Sequence, residues 1–263
     1  MVDFVNKPNY NINDLIELLK LLCSPDGCPW DAEQTHESIR RNLLEEAYEA
    51  AEAIDNNDTE ALIEELGDVL LQVIFHADIA QRASRFDFNA ITDATCKKLI
   101  RRHPHVFGEK KANDGTESLV FWEDVKREEK KHESATDSMR SVALSLPALW
   151  RAEKIQKKAA AVGFDRSDYS GLLESLRSEL AELENAISSE TGIMEELGDL
   201  LFSAVNLARF FKIDPEDALT LSSNKFIARF KKLEDCAAEA GKRLDDLSLE
   251  DIDAIYQKIK LEE

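Results

Sequence analysis

Glu64-Glu65-Leu66-Gly67-Asp68 opens a long apolar stretch, and the same five residues return as Glu195-Glu196-Leu197-Gly198-Asp199 before another. After Asp68 come Val69, Leu70, Leu71, Val73, Ile74 and Phe75, which place apolar side chains on nearly every side of a helix. The segment from about 61 to 80 is therefore expected to be enclosed by other helices or by a second subunit, and 193–211 likewise. Outside these stretches apolar residues recur at helical spacing, as in Ile12, Leu15, Ile16, Leu19 and Leu22, or Ile39, Leu43, Leu44, Ala47 and Ala51. Sustained two-residue alternation is hard to find, so the spacing predicts an all-α protein. Asp214-Pro215-Glu216-Asp217 reads as an N-cap, a first-turn proline and acids on the helix dipole, and predicts a helix start there.

The repeated pentapeptide belongs to a longer repeat. Upstream, Glu46-Ala47-Tyr48-Glu49 answers Glu179-Leu180-Ala181-Glu182; downstream, Lys98 and Arg102 answer Lys225 and Arg229, and Trp122 with Lys126 answers Tyr256 with Lys260. The offset drifts only between about 127 and 134 residues, as short loop insertions would produce. The chain is thus read as a tandem duplication: residues 1–132, a polar linker at 133–145, and residues 146–263.

The 263 residues are 43% hydrophobic and 33% charged, which suits a folded globular chain. Only 9 glycines and 6 prolines occur, with no glycine-rich stretch from which to build a Walker or Rossmann phosphate loop. A net charge of -20 opposes binding to nucleic acid or to anionic membrane. No apolar run approaches a membrane span and the first residues do not resemble a signal peptide, so a cytoplasmic location is expected. Cys23, Cys28, Cys96 and Cys236 lack metal-site spacing and are expected as buried or free thiols.

In each copy a Glu-x-x-Glu is followed, after 15 residues in the first and 13 in the second, by a Glu-x-x-Asp. That gap fits a helix end, a short turn and an antiparallel return. Residues three apart share a helical face, so Glu46, Glu49, Glu65 and Asp68 should gather in one copy, and Glu179, Glu182, Glu196 and Asp199 in the other. Four carboxylates so close repel one another unless cations sit among them, and oxygen donors without His or Cys favour Mg²⁺ or Mn²⁺. Solvation of a wet face explains a single Glu-x-x-Glu, but not paired acids repeated at the mouth of two apolar helices.

Basic residues are clustered: Lys97, Lys98, Arg101 and Arg102; Arg151, Lys154, Lys157 and Lys158; Lys225, Arg229, Lys231 and Lys232. Lys98 with Arg102, and Lys225 with Arg229, share a helical face suited to a polyphosphate. Trp122 and Tyr256 can stack on a base or fill a core near a helix end. The same chemistry outlines a mechanism. Cations bridging carboxylate and phosphate oxygens would offset developing charge and acidify a bound water for in-line attack, with a carboxylate taking the proton. Glu45 is placed for that role in the first copy; the matching residue of the second is Ser178, which leaves Glu195 there.

These residues resemble the MazG-type nucleoside triphosphate pyrophosphohydrolases, in their two-domain bacterial form, over nearly the whole chain. The resemblance rests on Cys28-Pro29-Trp30-Asp31-Ala32-Glu33-Gln34-Thr35, both carboxylate pairs, Arg102-His103-Pro104-His105-Val106-Phe107, Lys154-Ile155-Gln156-Lys157 with Val162-Gly163-Phe164-Asp165, and Asn224-Lys225-Phe226. It implies hydrolysis of NTPs and dNTPs between the α and β phosphates to NMP and pyrophosphate, with Mg²⁺ on the eight carboxylates. It also implies phosphate contacts from Lys225 and Arg229, with Tyr256 and Lys260 beside the nucleoside, and a homodimer whose apolar helices complete four-helix arrangements across subunits.

Two other readings remain open. A di-iron bundle wants Glu-x-x-His pairs in its core; Glu33 with His36 and Glu129 with His132 fit that spacing but lie outside apolar segments, and His103 and His105 flank Pro104 where a loop or cap is expected. A duplicated helical chain can also serve as a nucleotide-binding or interaction scaffold without turnover, in whole or in one copy. The basic run ahead of the second copy inclines the reading toward that copy as the active one.

Overall fold

The computed structural model describes residues 4–108, 111–130 and 134–261, and no strand occurs among them. Helices divide into two compact units, Met1–Lys130 and Lys131–Glu263.

The first unit contains α1 (Ile12–Leu22), α2 (Pro29–Glu33), α3 (Arg40–Asp55), α4 (Thr59–Arg82), α5 (Phe88–Arg102), α6 (Pro104–Phe107) and α7 (Gly115–Lys130). Asn11 caps α1 in a capping box with Asp14, whose buried carboxylate also pairs with Lys7. Leu15, Ile16 and Leu19 then face Leu71, Ile74, Phe75 and Ile79 of α4, with Cys23, Ile39 and Phe88 completing the core. The helices α3 and α4 form an antiparallel hairpin whose three-residue turn relies on Asn57 at φ 53°. Asp58 then caps α4 by accepting from the amides of Glu60 and Ala61, a side-chain cap contributing about 1 kcal/mol.

In the second unit α8 (Ala135–Arg140) precedes α9 (Ala148–Ala160), α10 (Tyr169–Ser189), α11 (Ile193–Phe210), α12 (Pro215–Glu239) and α13 (Leu249–Leu261). The residues expected as linker thus include a helix, and Ser138 on it accepts from the Lys158 ammonium of α9 at 2.7 Å. The turn between α10 and α11 carries two left-handed residues, Glu190 and Gly192, the second free of steric cost for glycine. Gln156 donates to the Phe202 carbonyl at 2.8 Å, joining α9 to α11. As the tetrapeptide implied, Asp214 caps α12 by accepting from the amides of Glu216 and Asp217. Its carboxylate also accepts from the Trp150 indole at 2.8 Å. Leu172, Val205, Leu233 and Ile259 are buried in this unit.

The enclosure expected of the two apolar helices is partial within one chain. On α4, Ile74, Phe75, Ala77 and Ala80 are buried, but Ile63 and Leu66 nearer its start are 71% and 52% exposed. On α11, Val205 is buried while Met194, Leu197, Leu201 and Phe202 are exposed. Each helix is covered by its own unit toward its C-terminal half and left open beside its acidic motif. No helix is long and apolar enough to cross a membrane among the described residues.

Candidate active site

The α3–α4 and α10–α11 hairpins bring the paired acids together in both units. Oxygens of Glu46, Glu49 and Glu65 all lie within 4.8 Å of one another, and so do those of Glu179, Glu196 and Asp199. Asp68 and Glu182, the fourth member of each set, act electrostatically on the others. An octahedral cation with ligands at about 2.0–2.1 Å holds its oxygens roughly 3–4 Å apart, so each triad is near the required span.

Electrostatics agree with that fit. Burial first, then Asp68 and Glu49, hold the Glu46 carboxyl above its ordinary range. Glu65 is raised by burial, then by Glu49, Glu64 and Asp68. In the second unit burial, Glu182 and Asp199 raise Glu179, and burial followed by Glu182, Asp199, Glu195 and Glu179 raises Glu196. None of the eight carboxylates has a Lys or Arg ion-pair partner among the described residues. Clustered, partly desolvated anions without side-chain counter-charge are what a hard divalent cation requires.

The units differ around this shared centre. Glu45 is held by Arg41, its i−4 neighbour, at 2.6 Å, so the residue expected as a proton acceptor in the first unit carries a cation already. In the second, the Ser178 hydroxyl donates to Glu182 at 3.0 Å and fixes the orientation of that carboxylate; Glu195 is exposed in the first turn of α11. The sequence signal for this contact is the i,i+4 spacing of Ser178 and Glu182.

Of the expected phosphate residues, Lys98 is exposed on α5, while Asn224 and Lys225 are exposed and Arg229 half-buried on α12. Lys260 is exposed on α13, where the Tyr256 ring lies 6.0 Å from that of Phe226. Lys126 is half-buried on α7. The Trp122 ring is enclosed differently from a free stacking platform: the Arg102 guanidinium sits 5.2 Å above it and His103 meets it edge-on at 5.0 Å. Arg102 itself is gripped by Glu129, its Nη2 donating to Oε2 at 2.6 Å, and Arg101 Nε donates to the other oxygen, also at 2.6 Å. Sequence alone placed Glu129 only as part of a Glu-x-x-His spacing. Its carboxylate instead faces two guanidinia, and His132 lies outside the described residues.

The other pair of that spacing is Glu33 with His36. His36 shares a 2.8 Å contact with His76 of α4, nitrogen to nitrogen, so its ring is engaged by another imidazole. His103 precedes a four-residue helix and His105 lies within it, where a loop or cap was expected, and His103 Nδ1 caps α5 at the Leu99 carbonyl, 2.6 Å away. All four cysteines are unpaired thiols. In the basic group of α9, Lys157 pairs with Glu153 at 2.6 Å.

Comparison with known proteins places this geometry. The MazG nucleotide pyrophosphohydrolase domain matches twice, over residues 34–107 and 168–233. Both spans hold a complete set of four acids and a basic pair, and both stop short of Trp122, Lys126, Tyr256 and Lys260. The nucleoside triphosphate pyrophosphohydrolase/pyrophosphatase MazG of Thermotoga maritima is 43% identical over 247 residues, covering 94% of each chain. The nucleoside triphosphate pyrophosphohydrolase of Escherichia coli K12 is 40% identical over 257 residues, 96% of this chain and 98% of the relative. An uncharacterised protein of Bacillus subtilis, YabN, is 45% identical over 92% of this chain, which spans 50% of its length. An all-α chain with one four-acid hairpin in each unit, matched twice by the domain and along its length by these relatives, belongs to the MazG nucleotide pyrophosphohydrolase family.

Proposed function

We propose that this chain hydrolyses nucleoside triphosphates between the α and β phosphates, releasing NMP and pyrophosphate, with Mg²⁺ or Mn²⁺ as the metal. The observation that carries the reading is the pair of carboxylate clusters, each drawn together on a helical hairpin with no Lys or Arg ion-pair partner among the described residues. The names of the Thermotoga and Escherichia relatives supply the reaction class. Glu46, Glu49, Glu65 and Asp68 would hold metal in the first unit; Glu179, Glu182, Glu196 and Asp199 would do so in the second. Bound there, a divalent cation supplies Lewis-acid polarisation and a more acidic water.

The chain's own residues do the rest. Lys225 and Arg229 bind the phosphates in the second unit, and Lys98 and Arg102 in the first, because only fixed cations offset the triphosphate charge that the carboxylates repel. Ser178 orients Glu182 by its hydrogen bond. Glu195, beside Glu196 and exposed, takes the water proton in the second unit. None of these contacts reads a base, so NTPs and dNTPs of all bases are substrates.

A homodimer completes the site. The exposed Leu66 and Leu70 of α4, and Leu197 and Leu201 of α11, border the acidic motifs. Gly67 and Gly198 among them have nothing within 4 Å of a notional Cβ, so no neighbour within the chain requires glycine there. A second subunit packed on these faces removes them from water and excludes solvent beside the metal.

Incubating the full chain with each NTP and dNTP, with and without Mg²⁺, and separating products by ion exchange tests this. NMP and pyrophosphate should form only with metal. Glu49→Ala and Glu182→Ala each remove one acid from one unit's set, so their residual turnover divides activity between the units. NDP and phosphate as products would overturn the reading, and a preference above about a thousandfold for one base, roughly 4 kcal/mol, would overturn the breadth.

A further inference from the structure

The carboxylate of Glu129 meets its two arginines as a phosphate would. Arg102 reaches it with both Nη2, at 2.6 Å, and Nε, at 3.1 Å from Oε2, while Arg101 Nε takes Oε1 at 2.6 Å. Planar guanidinium forks recognise carboxylate and phosphate by the same paired donors, so one anion excludes the other. The Arg102 and Glu129 side chains are only 15% and 16% exposed, which spares them much of the screening that weakens a surface pair.

Arg102 is placed by more than Glu129. Arg101 and Arg102 close the last turn of α5, where the helix dipole favours cations. The Trp122 ring lies under the Arg102 guanidinium, and His103, pinned to the Leu99 carbonyl, abuts that ring. Glu129, by contrast, lies in the last turn of α7, where the dipole disfavours an anion. The arginines account for its position there, and they hold its carboxyl down to about 2, so it is ionised at any physiological pH.

We propose that Glu129 is an internal competitor for the phosphate chain of the nucleotide: it closes the Arg101–Arg102 fork of the first unit, and substrate must displace it to bind there. This rests on the nucleotide-hydrolase reading and identifies the residue that sets polyphosphate affinity in that unit. Because apparent affinity scales with the fraction of forks open, removing the competitor strengthens binding although it deletes two ion pairs. A structural staple would do the reverse.

The test uses the full chain carrying Lys225→Ala and Arg229→Ala, which strips the second unit of its basic pair, with inorganic tripolyphosphate titrated calorimetrically in EDTA. Adding Glu129→Gln should tighten binding by about tenfold, and adding Arg102→Ala to that variant should abolish the gain. Unchanged or weaker binding overturns the proposal. If Glu129→Gln no longer melts cooperatively, Glu129→Ser reads the same quantity, and loss of binding there overturns it too. The hydrolase reading fails separately, by the unsubstituted chain consuming no NTP even where the tripolyphosphate gain appears.

Discussion

Glu179→Gln should stabilise the metal-free protein while removing its response to metal in the second unit. Glu179, Glu196 and Asp199 present oxygens within 4.8 Å of one another, and two unit charges at that separation repel by about 1 kcal/mol even at the dielectric of water. The substitution relieves Glu179 of Glu182 and Asp199, the charges that act on it most, while Gln keeps its shape. Allowing for screening and for the strength of the remaining set, the net gain is about 1 kcal/mol, or roughly 2–5 °C in Tm for a unit of this size. Thermal melts in EDTA and in Mg²⁺ read both halves. In EDTA the variant should melt above the parent; in Mg²⁺ the parent should gain and the variant gain less, since mass action rewards only a native state that binds. A variant less stable than the parent in EDTA would refute the reasoning, because it would mean the cluster is held by attraction within the chain.

Glu46, Glu65, Glu179 and Glu196 all ionise less readily in the folded chain than in the unfolded one. Between the ordinary value of 4.5 and their raised values the native state binds more protons, so these four stabilise the metal-free protein on the acid side and lose that contribution as pH rises through the window; urea midpoints in EDTA across pH 4–7 should show this component. Glu129 has the opposite sign, its contribution present above 4.5 and lost as pH falls toward about 2. Asp214→Ala removes the cap of α12 and the acceptor of the Trp150 indole, at a cost of about 1–2 kcal/mol by chemical denaturation, with a change in tryptophan emission. Cys23, buried and pushed up to about 12, should resist iodoacetamide at neutral pH in the native chain, whereas exposed Cys96 and Cys236 should alkylate readily.

The hairpins were legible because the Glu-x-x-Glu and Glu-x-x-Asp spacings encode both a helical face and a return, and the repeated pentapeptide showed that the device occurs twice. The helix start at Asp214 was legible for a similarly local reason. What periodicity could not resolve is which half of an all-round apolar helix its own chain covers: Leu66 and Ile74 are equally apolar, but α1 reaches only the latter. Residues 135–140 read as linker because Ser134, Thr136 and Ser138 are small and polar, yet Ser134 caps a helix there and Ser138 meets Lys158. The grip of Glu129 on Arg101 and Arg102 joins residues 27 and 28 apart across two helices, a tertiary contact that no local spacing announces.

The most direct test of the account is hydrolysis of ATP in ¹⁸O-labelled water with Mg²⁺, reading each product by mass spectrometry and comparing the parent with a Glu49→Ala/Glu182→Ala double variant. Attack at the α phosphorus at the carboxylate clusters predicts one ¹⁸O in AMP, none in pyrophosphate, and no turnover by the variant. Label in pyrophosphate or phosphate, or undiminished turnover by the variant, would contradict it.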